Sequence, residues 1–289
     1  MSGLLSVGEP VADLVQWMRG PLAPAFDAVY TIVRFLVDGL YHILLLPPPV
    51  ALAVMAGAAA WLVRGRGFGL FAAAGFLLLD AMGLWRDAMS TLALVLTASL
   101  FAVSAGVPLG IWASRSRAVS GVVRPLLDFM QTMPPFVYLI PAVFFFRIGQ
   151  VPGVVATVVF GMPPAIRLTE LGIRQVAPEV VEAGNAFGST SNQLLMKVQL
   201  PLALPTIMAG INQVIMLSLS MVVIAGMIGA GGLGAAVVRS LTQLDIALGF
   251  EAGLGVVILA VFLDRLTEGL ASARRRRPRP IPASEPRSA

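Results

Sequence analysis

Apolar runs of about 20 residues, the length that crosses a bilayer, recur along this chain with short polar breaks between them. They cover roughly residues 44–63, 67–84, 89–113, 126–147, 151–170, 205–228 and 247–267, and predict about seven transmembrane helices. Residues 1–43 have a different character. Trp17, Phe26, Val29, Val33, Phe35 and Leu36 are interleaved with Asp13, Arg19, Asp27, Arg34 and Asp38 at spacings near three and four. No stretch there reads as long enough to span. The pattern predicts an amphipathic helix lying on the membrane surface or packed on the outside of a bundle. Pro134-Pro135 and Pro163-Pro164 are expected to interrupt the fourth and fifth spans, freeing backbone groups that neighbours or water must satisfy. Residues 44–270 form the membrane domain, and 271–289 read as a disordered Arg- and Pro-rich tail.

One polar stretch, within residues 171–204, stands out between two apolar runs. Pro178 sits at a first helical position with Glu179 behind it. Gly188 then suits the C′ position of that helix. Ser189 to Ser191 offer a new N-cap for a second helix over Asn192–Gln199, which Leu200-Pro201 is expected to stop. A structured loop of this kind is usually a contact surface.

Composition narrows the class. The chain is 57% hydrophobic and 12% charged, where soluble domains carry about 25% charged residues. It is an all-α polytopic membrane protein. No cysteine is present and His42 is the single histidine, so thiolate and histidine metal sites have no ligands. The one lysine, Lys197, lies outside any Gly-Lys-Ser/Thr context, so no P-loop is available for nucleotide hydrolysis. No catalytic, cofactor-binding or metal-binding residue is expected in this chain. Of the 20 basic residues, 15 fall on one side if the C-terminus is cytoplasmic and 5 on the other. That distribution reflects membrane orientation rather than nucleic-acid binding. It places the N-terminus outside, the C-terminus inside and the 171–204 loop in the cytoplasm of a bacterial (inner) membrane protein.

The loop then becomes specific. Glu182-Ala183-Gly184, three residues, Gly188, nine residues and Val198-Gln199-Leu200-Pro201 together resemble the EAA motif of ATP-binding-cassette (ABC) importer permeases. Gly184 stands where the motif has a second alanine, and Val198 where it has isoleucine. Small residues at 183, 184 and 186 would let a helix seat in a partner's groove, with Phe187 as an apolar knob. The runs 125–141, 151–174 and 200–233, with Asp264-Arg265-Leu266-Thr267, are similar to the glycine betaine/proline and choline permeases of that class.

That resemblance implies a type I ABC importer transmembrane domain with a cytoplasmic coupling helix. It implies a homodimer forming the pathway, two separate ATPase subunits that hold ATP and Mg, an extracytoplasmic solute-binding protein, and a surround of membrane lipid. Glu182, Ala183, Gly184, Ala186, Phe187, Gly188, Leu200 and Pro201 are the candidate coupling residues. Met133, Pro134, Phe136, Tyr138, Asn212 and Gln213 are candidates for the solute path, each with packing within the bundle as the alternative. Gly229, Gly231 and Gly232 are candidates for an outer gate, or else form a simple turn. The resemblance implies glycine betaine, choline or a related quaternary-ammonium or proline-type solute, with trimethylamine N-oxide or carnitine as the alternative and a self-contained secondary carrier as the rival class.

Overall fold

The computed structural model describes residues 8–273, so most of the Arg-rich tail lies outside the described residues. Among the described residues every regular element is helical. In order they are α1 (Gly8–Leu45), α2 (Pro49–Arg64), α3 (Arg66–Ala81), α4 (Trp85–Arg115), α5 (Arg117–Thr132) and α6 (Pro135–Phe146). α7 (Gln150–Arg174), α8 (Pro178–Ala186), α9 (Ser191–Leu194), α10 (Leu200–Ala225), α11 (Gly232–Gln243) and α12 (Ile246–Ala273) follow. Among the described residues five helices are long and apolar enough to cross a membrane, or six spans if a bent pair counts as one.

The centre is α4, α7 and α10. Lipid tails are as apolar as leucine, so helices in a bilayer associate mainly through close backbone approach. Small residues supply it here. A Cβ on Gly110 of α4 would stand 2.6 Å from the Ile166 carbonyl of α7, and one on Gly210 of α10 would stand 3.1 Å from the Pro164 carbonyl. Ser99 donates to Ser218 at 3.3 Å, joining α4 to α10 inside this packed region. α2 and α3 form a hairpin whose Phe76 meets Phe262 of α12 edge to face, 5.0 Å between ring centres.

Several expectations require correction. The N-terminal pattern predicts no spanning stretch, but Gly20–Leu45 is long and apolar enough to be one. Two of its charges, Arg34 and Asp38, form an ion pair one turn apart at 3.4 Å, which reduces the cost of carrying both in one apolar window. The helix keeps its outer faces exposed and packs onto the bundle through Val33 and Val37, with Phe26 stacked on Phe145 of α6. The runs predicted at 44–63 and 67–84 become α2 and α3, with 16 residues each. At 1.5 Å per residue each is about 24 Å long, short of a bilayer core of about 30 Å.

The two proline pairs behave differently. Pro134-Pro135 does break the chain, and α5 and α6 meet at a bend of 100°. Pro163-Pro164 does not break α7, which runs unbroken from Gln150 to Arg174. Both prolines are buried, and packing against α4 and α10 supports the helix where two backbone hydrogen bonds are missing.

Leu200-Pro201 does not end the second loop helix. α9, a π-helical turn (Leu195–Gln199) and α10 form one unbroken rod from Ser191 to Ile228. The wider π turn absorbs the place where Pro201 withdraws an N–H. α11 has no counterpart among the predicted elements. Its sequence is short and its entry is set by three glycines with positive φ, Gly229, Gly231 and Gly232.

Candidate functional site

The loop after α7 folds into two short helices, the second closed by a capping box. α8 opens on Pro178 and ends at Phe187, whose N–H reaches the Ala183 carbonyl at 3.1 Å. Gly188 takes φ +76°, the left-handed C′ conformation that a side chain would strain. The next cap is Thr190, inside the predicted 189–191 window. Its hydroxyl accepts from the Gln193 N–H, and the Gln193 side chain accepts from the Thr190 N–H, completing a capping box.

No residue of α8 is buried, and Phe187 is 90% exposed. Ala183 and Ala186 are exposed beside it, so the helix presents a small-residue face with one aromatic knob. Gly184 has a local reason. A Cβ there would lie 2.6 Å from Leu194 Cδ1, so glycine lets α8 close onto α9. Glu182 lines a groove of about 580 Å³ that Arg115 and Arg174 also line. Arg115, at the end of α4, donates to the Asn192 side chain of α9 at 2.8 Å. This bond pins α9 to the end of α4. Leu200 and Pro201 lie at the loop's far end, at the start of α10.

The bend between α5 and α6 has a clear local cause. Pro134 has no N–H to offer the Met130 carbonyl one turn back. The Tyr138 hydroxyl donates to that same carbonyl. Tyr138 is buried against Phe160, while Phe136 and Pro134 are exposed and Met133 is half-buried. Replacing Tyr138 with phenylalanine should leave that carbonyl without its partner and cost about 1–3 kcal/mol. We expect the purified variant to melt at a lower temperature, and its α5–α6 bend to gain protease sensitivity.

The other candidates separate. Asn212 donates to Asp264 at 2.6 Å and accepts from Thr267 at 2.6 Å, so its amide is committed to holding α10 on α12. Gln213, one residue on, is exposed. Ala209, Gln213, Met216 and Ser220 form an exposed stripe along α10, set at helical spacings of three and four. Of these, the sequence alone singles out Gln213, and Met216 passes as a generic apolar residue. Gly229, Gly231 and Gly232 form the elbow into α11, whose Leu233 N–H donates to Thr91 of α4 at 2.8 Å. Beside it, a Cβ on Gly234 would stand 2.7 Å from the Val222 carbonyl, so the elbow folds back tightly on α10.

Residues 106–276 match the family described as the binding-protein-dependent transport system inner membrane component. The chain belongs to this family. It is thus a multi-pass inner-membrane permease component, and its fold is that of a type I ABC importer transmembrane domain. In Bacillus subtilis, the glycine betaine transport system permease protein OpuAB is 50% identical over 93% of this chain and 96% of its own length. The glycine betaine/proline betaine permease ProW of Escherichia coli is 49% identical over 95% of this chain and 77% of its own length. The inward-facing MetNI methionine ABC transporter shares the fold, with a TM-score of 0.61 over 66% of this chain and 95% of that one, at 22% identity.

Proposed function

We propose that this chain is the pathway-forming subunit of an ATP-driven importer for glycine betaine or a closely related quaternary-ammonium solute. Its identity of about half, over nearly the whole chain, to glycine betaine permeases carries the substrate class. The exposed α8, opened by Pro178 and closed by Phe187 and Gly188, supports the coupling: among the described residues nothing buries any residue of it. Glu182, Ala183, Gly184, Ala186 and Gly188 shape that element, and Leu200-Pro201 joins it to α10.

Two copies would line the path, with two ATPase subunits beneath and an extracytoplasmic binding protein above. The α10 stripe supports the pairing, because Gln213 facing lipid mid-helix would leave a polar amide without water. A second copy or a wet pathway removes that cost. Phe136 and Met133, at the α5–α6 bend, would stand beside the same path. Gly229 to Gly232 would work as an outer hinge. The basic-residue bias favours an α8 that faces the cytoplasm.

Uptake assays with labelled glycine betaine, competed by choline, carnitine, proline and trimethylamine N-oxide, test the substrate class. A relative at 42% identity over 76% of this chain is a trimethylamine N-oxide permease protein from Ruegeria pomeroyi, so that competitor is the sharpest comparison. We expect glycine betaine to compete best.

A further inference from the structure

Glu170, near the end of α7, is a carboxylate only 3% exposed in a chain with few charges. Two donors converge on its Oε1, the Ser120 hydroxyl at 2.7 Å and Arg124 at 2.9 Å, and Arg174 Nε forms an ion pair with it at 3.1 Å. Arg174 also donates to the Ala113 carbonyl at the end of α4, at 2.9 Å. One turn earlier on α7, Arg167 pairs with Asp128 of α5. Ser120, Arg124 and Asp128 are four residues apart, so they share one face of α5. Arg167, Glu170 and Arg174 share one face of α7 in the same way. The pairing runs antiparallel, as 124 meets 170 and 128 meets 167.

We infer that this ladder makes α5 follow α7, with Glu170, Arg124, Arg167 and Asp128 as positioning residues for transport. The inference rests on the coupling role assigned above to α8. Three residues separate the end of α7 from α8, so a pull on α8 acts on α7 directly. α5 has no covalent tie to that loop. Its polar ties to α7 are these side chains: the charge-assisted bonds to the buried Glu170 are the stronger rung, and the partly exposed Arg167–Asp128 pair is the weaker one. Beyond Thr132 comes the 100° bend and α6, so whatever moves α5 also re-aims Met133 and Phe136. Neither rung involves a residue of α8. The ladder is therefore a transmission between the docking face and the bend, separate from both.

The test uses the full chain reconstituted with its ATPase and binding protein, and measures solute taken up per ATP hydrolysed. Arg167→Asp, Asp128→Arg and Glu170→Gln are each expected to lower that ratio about tenfold, with hydrolysis kept within about twofold. The double swap, Arg167→Asp with Asp128→Arg, should restore at least half of the lost coupling, which a purely structural role at either residue would not do. Both swapped residues are partly exposed, so reversal does not bury a new charge. Asp128→Asn gives a milder variant that keeps its shape. Unchanged ratios overturn the ladder, as does a swap no better than its single variants, or uptake and hydrolysis falling in parallel. A wild-type complex without ATP-driven uptake instead overturns the transport assignment, and the ladder falls with it.

Discussion

Truncating Phe187 to alanine is expected to weaken association with the ATPase subunit about thirtyfold, by about 2 kcal/mol, while the bundle stays folded. The side chain is 90% exposed and lies outside the core, so its loss leaves no cavity in this chain. An exposed aromatic at the tip of a rigid helix is the kind of group that fills a partner's pocket and carries much of an interface's free energy. α8 opens on Pro178 and stops at Gly188, and α9 behind it is capped by Thr190 and held by Arg115 on Asn192, so the turn that carries Phe187 is ordered before docking. Gly188→Asp should act differently. It places a side chain at φ +76°, a strain of about 1–2 kcal/mol that falls on the turn joining α8 to α9. Titrating detergent-solubilised permease with the purified ATPase, alongside a melting curve of the permease alone, separates the two effects. Phe187→Ala should shift only the titration, and Gly188→Asp both.

The second large effect lies at the opposite end of α10. A Cβ on Gly226 would run into the backbone of Gly234 and Ala235, in the first turn of α11. Backbone cannot rotate aside as a flexible side chain can, so Gly226→Ala must open the elbow. Overpacking of this kind costs about 1–3 kcal/mol. It would also pull Leu233 from Thr91, the hydrogen bond that anchors α11 to α4. We expect Gly226→Ala to assemble poorly and to transport at under about a tenth of the normal rate, given that cost. Gly253→Ala in α12 is the control. Nothing lies within 4 Å of a Cβ there, and alanine is the better helix former, so that variant should match or exceed the parent in stability.

Much of this architecture is legible in hydropathy and spacing, because both report forces that act locally. The loop helices, the Gly188 stop and the cap near Thr190 follow from backbone groups that must be satisfied within a few residues. The Pro134-Pro135 break follows from two missing N–H groups. What is misread depends on neighbours distant in sequence. Pro163-Pro164 stays helical because α4 and α10 enclose it, and Pro201 is tolerated because a π turn precedes it. Glu170 carries no local signal: its role comes from Ser120 and Arg124, about fifty residues earlier, which lie against it. Asn212 and Gln213 are adjacent in sequence yet point to different fates, one bound to α12 and one left open. α11 escapes notice because glycine-rich entry and a short apolar stripe give only a weak periodic signal.

The central claim is that transport is powered through α8 by a separate ATPase. Uptake of labelled glycine betaine into proteoliposomes holding this chain, its ATPase and its binding protein tests it most directly. The expected result is accumulation that requires ATP and falls sharply in Phe187→Ala. Accumulation by this chain alone, driven by an ion gradient and indifferent to both ATP and Phe187, would contradict it.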